Sequence, residues 1–91
     1  MKFIENIIVE TDQIFNELEQ KVLIQNSYDT KETLQNLYKS MERIGATVIS
    51  QQIISLIQHY DTLSLEEKTR TLKELQNTFC SAKPFLRQAA Q

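Results

Sequence analysis

The stretch Ile4-Glu5-Asn6-Ile7-Ile8-Val9-Glu10-Thr11-Asp12-Gln13-Ile14-Phe15-Asn16-Glu17-Leu18-Glu19-Gln20-Lys21-Val22 sets Ile4, Ile7, Ile8, Thr11, Ile14, Phe15, Leu18 and Val22 at steps of three and four residues. On a helix of 3.6 residues per turn those positions fall on one face, so the spacing predicts a first helix over roughly 2–25. A single apolar stripe of that length needs other elements to cover it.

The rest of the chain continues the same period. Asn26, Ser27 and Tyr28 interrupt it, and Asp29 followed by Glu32 reads as an N-terminal cap for a second helix with Leu34, Leu37, Tyr38, Met41 and Ile44 inward. Gly45 is placed to end or pinch that helix, because glycine takes the left-handed conformation freely. Ala46, Ile49, Ile53, Leu56, Ile57 and Tyr60 mark a third segment, closed by Asp61 and Thr62. Ser64-Leu65-Glu66-Glu67 has the spacing of a capping box, with Leu63 placed to staple onto the stem of Lys68. The fourth stripe is Leu65, Leu72, Leu75, Phe79, Ala82 and Leu86, with Pro84 expected to bend or end the helix.

The fold expected is therefore all-α, an antiparallel up-and-down four-helix bundle joined by short connections. Its structural rival is a three-helix bundle whose middle helix is kinked at Gly45. Residues 1–91 are read as one domain with a frayed tail over about 87–91. At 91 residues the chain buries only about 60–65% of its unfolded surface, enough for a single core. One Gly and one Pro leave little turn vocabulary, and no Asn-Gly, Asp-Gly or Gly-Gly pair is available for hairpins, which excludes an all-β reading.

Charge and composition narrow the function classes. A net charge of -2, with ten basic residues scattered along the chain, argues against a nucleic-acid partner, which calls for clustered Lys and Arg. No apolar run approaches the ~20 residues of a membrane span. The first ten residues carry Glu5 and Glu10 and lack a basic region and a small-residue cleavage site, unlike a secretory signal. The lone Cys80 cannot form an internal disulfide and suits a reducing compartment, so a cytoplasmic location is expected.

Chemistry-bearing residues are sparse. One histidine, His59, and one cysteine, Cys80, fall short of metal and triad templates, so neither a metal nor a cofactor is expected. His59 is placed at a helix C-terminus, where a cation is favoured, and Cys80 reads as a small buried or half-buried apolar residue. The carboxylate pairs Glu17/Glu19 and Glu66/Glu67 fit solvated faces and caps. Tyr28, Tyr38 and Tyr60, spread over a loop and two helices, suit the edge of a core. An enzyme is not expected.

Leu34 to Ala46 reads Leu-Gln-Asn-Leu-Tyr-Lys-Ser-Met-Glu-Arg-Ile-Gly-Ala. This resembles the phosphate-carrying segment of histidine phosphotransfer domains, His-x-Leu-Lys-Gly-x-x-x-x-x-Gly-Ala, with Gln35 at the carrier position. Leu37, Gly45 and Ala46 agree with that pattern; Ile49, Ile53 and Leu56, and then Leu75, Phe79, Ala82 and Leu86, follow the family's apolar spacing. Three positions depart from it. Gln35 has no basic nitrogen, Tyr38 replaces the lysine that offsets phosphate charge, and Lys39 fills the place of a glycine that leaves room for a receiver domain. The resemblance implies a degenerate carrier that docks on a response-regulator receiver or a kinase in two-component signalling without transferring phosphate, through Gln35, Tyr38, Lys39 and Glu42.

A second resemblance is to the bacteriocin immunity proteins, themselves small four-helix bundles, in the connection Leu63-Ser64-Leu65-Glu66-Glu67 leading to Leu72-Lys73-Glu74-Leu75. It implies binding to a bacteriocin-receptor complex through the segment from Phe85 to Gln91. A homodimer or adaptor using exposed apolar residues of the first helix is a third possibility.

Overall fold

Residues 2–89 are described in the computed structural model, and they form four α-helices: α1 (Lys2–Ile24), α2 (Ser27–Arg43), α3 (Thr47–His59) and α4 (Leu65–Ala89), with a 3-10 turn, Tyr60–Thr62, following α3. The all-helical expectation holds, and α2 and α3 are separate helices. Each α helix packs against two neighbours, giving the cycle α1, α2, α3, α4 and back to α1. The assembly is a bundle about 41 Å long and 18–19 Å across.

The helix ends follow from local chemistry. The α1 helix stops where Gln25 adopts φ of 64° and its N–H reaches back to the Lys21 carbonyl at 3.1 Å. The α2 helix closes in a Schellman arrangement. Gly45, at φ of 75°, donates to the Glu42 carbonyl, and the Ala46 N–H reaches the Met41 carbonyl at 2.9 Å. The side chains of Met41 and Ala46, at the two ends of that motif, are both buried. This turn is why the helix ends at Gly45 rather than bending through it.

The cap of α2 differs from the one expected. Asn26, not Asp29, caps the helix, its side chain accepting from the Asp29 N–H at 3.0 Å, so the helix starts three residues earlier and Tyr28 lies in its first turn rather than in a loop. Asp29 is diverted into an ion pair with Lys21 at 3.2 Å. The capping box of α4 forms as read: Ser64 Oγ accepts from the Glu67 N–H at 3.1 Å, and the Ser64 N–H donates to the Glu67 carboxylate at 3.0 Å. The Ser64 backbone N–H most, and its hydroxyl next, favour the ionised carboxylate and hold the Glu67 pKa below its usual value.

The core is one cluster drawn from all four helices. Ile7, Ile8, Phe15, Leu18 and Val22 enter from α1, and Leu34, Leu37 and Met41 from α2. Ile49, Ile53, Leu56 and Tyr60 come from α3 and its 3-10 turn, and Leu72, Leu75 and Phe79 from α4. Phe15 and Phe79 meet with ring centroids 5.8 Å apart at a tilt of 38°. Truncating one of these large side chains removes its transfer energy and leaves a cavity, a cost of about 2–5 kcal/mol. Tyr60 is buried rather than at the core's edge, and the Lys68 ammonium lies 4.4 Å from its ring centre. Leu65, at the start of the α4 stripe, is not buried: it opens the helix seven residues ahead of Leu72, the first buried side chain of α4.

The α4 helix runs through Pro84, where an end or bend was expected. Ion pairs on both sides of the proline tie this stretch to α1, Lys83 to Asp12 at 2.8 Å and Arg87 to Glu5 at 2.6 Å. Of the tail expected to fray over 87–91, positions 87–89 are helical and the remainder lies outside the described residues.

Candidate functional site

The inward turn of Leu34, Leu37 and Met41 sets the opposite side of α2 outward. Gln35, Lys39 and Glu42 follow one another at steps of four and three residues and are all exposed, with Tyr38 half-buried beside them. All four expected site residues therefore share one stretch of helix surface, while Gly45 and Ala46 form the turn beyond it.

Within this face the contacts are specific. The Tyr38 hydroxyl donates to Glu42 Oε1 at 2.9 Å, across one helical turn. Ser50 Oγ lies 3.3 Å from Glu42 Oε2 and also donates to the Thr47 carbonyl at 2.9 Å. The carboxylate thus spans the seam between α2 and α3. Its hydrogen bond with Tyr38, reinforced by its negative charge, raises the phenol pKa above the ordinary value and keeps that hydroxyl a donor. Gln35 and Lys39 form no side-chain hydrogen bond or ion pair among the described residues, so both are free to meet a partner.

Ser50 is the member that sequence reasoning missed. It is fully buried at one edge of the α3 stripe, three residues before Ile53 and seven before Ile57. A hydroxyl on an apolar face at that spacing was the signal that could have found it.

What the face offers is a carbonyl and amide at Gln35, a cation at Lys39 and a positioned carboxylate at Glu42. Elsewhere, His59 is exposed at the end of α3, and Cys80 is exposed too, against the expectation of a buried or half-buried thiol, because it lies one position past the inward-facing Phe79. Glu17, Glu19, Glu66 and Glu67 are exposed as expected. Among the described residues no three His, Cys, Asp or Glu side chains gather as metal ligands, and no helix is long and apolar enough to cross a membrane.

Two grooves flank the first half of α4. One, of about 780 Å³, lies between α1 and α4 and is lined by Val22, Leu23 and Leu72 with Glu66, Arg70 and Lys73 around them. The other, of about 480 Å³, lies between α3 and α4 and includes Leu56, His59, Leu63 and Leu75. Comparison with protein-family models, with curated proteins and with solved structures gives no match to this chain.

Proposed function

We propose that the chain is a non-catalytic protein-binding module, a pseudo-phosphotransfer protein that docks on a response-regulator receiver or a kinase partner in two-component signalling. The observation that carries this reading is the outward placement of Gln35, Lys39 and Glu42 on one side of α2, with Tyr38 fixed beside them. An amide at position 35 hydrogen-bonds but cannot form a phosphoramidate. Docking then survives where transfer does not, and the protein competes with an active carrier in the cytoplasm.

The reading includes the arrangement of the helices, an antiparallel up-and-down bundle. It is supported by the order of cross-helix contacts. Asp12 and Glu5 of α1 meet Lys83 and Arg87 of α4 in reversed order. Arg43, at the end of α2, lies 5.5 Å from the ring centre of Phe3, while Asp29, at its start, meets Lys21.

A second reading, a bacteriocin immunity protein, is favoured by one observation: Phe85, near the end of α4, is 71% exposed, which leaves a large apolar side chain free to meet a receptor complex. Affinity capture from the native lysate, with mass spectrometry of what is retained, separates the two. Recovery of a response regulator or its kinase, lost on Lys39→Glu, supports docking through α2. Recovery of a membrane permease complex, lost on Phe85→Ala, overturns it in favour of immunity.

A further inference from the structure

We infer that the groove between α1 and α4 is a self-association surface, filled by a second copy of this chain packed about a two-fold axis with the α4 helices antiparallel. Apolar exposure, charge and register lead there.

Three exposed large apolar side chains lie in or next to the stretches of α1 and α4 that line this groove; others, Phe3, Val48 and Phe85 among them, lie elsewhere on the bundle. Leu23 and Ile24, at the end of α1, are 59% and 74% exposed, and Leu65, at the start of α4, is 38% exposed. Leu65 shares a helix face with Thr69 and Leu72 at steps of four and three residues, and Thr69 and Leu72 line the groove together with Val22 and Leu23. Clustered aliphatic side chains left in water favour burial at an interface.

The charges around the groove are unspent. The molecule forms four ion pairs among its described residues, and none of them uses Glu19, Glu66, Arg70, Lys73 or Glu74, which surround the groove. Both signs are present and nearly balanced, so the rim selects neither a strongly acidic nor a strongly basic partner. A surface that carries both signs can complement itself.

The register of α4 then fits a copy of itself. A two-fold axis passing between Thr69 and Arg70 sets Glu66 of each copy opposite Lys73 of the other. Thr69, at the crossing, is small and exposed, which lets the two helices approach. In an isologous contact every such pair occurs twice. Within one chain Glu66 and Lys73 are two turns apart and do not meet.

Sedimentation equilibrium of the full chain across a dilution series tests this surface. The wild type is expected as a dimer that dissociates on dilution, and Leu23→Glu as a monomer with unchanged helical circular dichroism. Glu66→Lys and Lys73→Glu are each expected to weaken association about tenfold, since two rim pairs are lost at once. The double variant E66K/K73E, with the pair reversed, is expected to recover association to within about threefold. A wild type that stays a 10.7 kDa monomer at the highest concentration overturns the proposal and leaves the groove to a different protein. A dimer indifferent to Glu66→Lys, or a double variant that does not recover, overturns the register and with it the proposal. Neither result bears on the docking face of α2, which lies on another helix.

Discussion

Tyr38 and Glu42 are joined by a 2.9 Å hydrogen bond across one turn of α2, and the same carboxylate reaches Ser50 of α3 at 3.3 Å. The exposed side of α2 is therefore tied to α3 at one point. Its carboxylate is anchored at the α2/α3 seam, while Gln35 and Lys39 remain free.

The phenol of Tyr38 should titrate above its ordinary value because its proton is held by Glu42. Glu42→Gln removes the charge and is expected to bring that pKa down toward normal. Phenolate absorbance across an alkaline titration, wild type against variant, reads this directly. An unchanged titration curve contradicts the contact.

Thr11 is fully buried in α1, and its hydroxyl finds no hydrogen-bond partner among the described residues. A buried hydroxyl left unpaired costs its desolvation without return, so the nearly isosteric Thr11→Val should raise stability by about 1 kcal/mol. For a domain of this size that shifts the thermal midpoint upward by roughly 4–8 °C. A lower midpoint would mean that the hydroxyl has a partner in solution.

Two left-handed residues should respond in opposite directions. Gln25 at φ of 64° carries strain that glycine lacks, and Gln25→Gly is expected to stabilise by about 0.5–1 kcal/mol. At Gly45, with φ of 75°, a Cβ would meet no atom within 4 Å, so Gly45→Ala costs backbone strain alone, about 1 kcal/mol. Chemical denaturation of the two variants measures both signs.

Acid should loosen the junction of α2 with the 3-10 turn. Asp61 accepts from Lys31 and from Ser27, each at 2.5 Å, and these bonds hold its pKa below the usual carboxylate value, the Lys31 bond most. For a folded pKa depressed below the unfolded one, the stabilisation is complete above the unfolded value and is lost as pH falls through the folded one. Asp61→Asn should therefore lower stability near neutral pH and flatten its decline below the ordinary Asp pKa. Denaturation midpoints measured across the acidic range for both proteins check the slope.

Much of the fold was legible because burial follows helical period. Ile7, Ile8, Thr11, Phe15, Leu18 and Val22 lie inward as their spacing predicts, and so do Leu37, Ile53 and Phe79. The capping box at Ser64 and the glycine turn at Gly45 were also readable, since each has a residue type that its geometry requires. The cap of α2 was misread because Asn26 and Asp29 are both good caps, and the Lys21 ammonium that pairs with Asp29 is supplied by another helix, out of reach of a local pattern. Cys80 was misplaced because average burial of its residue type says nothing about its angle on α4. At the candidate site, the shared exposure of Gln35, Lys39 and Glu42 follows from spacing, whereas the Ser50 contact depends on how α3 sits against α2, which no local pattern records.

The central claim is that the Gln35, Tyr38, Lys39 and Glu42 face of α2 docks on a receiver domain. Its most direct test is an NMR titration of the isotope-labelled protein with the receiver domains encoded in the same genome, each in its beryllofluoride-activated and inactive form. The result expected is binding to at least one receiver, with amide shifts centred on residues 35–42 and abolished by Lys39→Glu. Absence of binding to every receiver, or shifts centred on another part of the bundle, would contradict it.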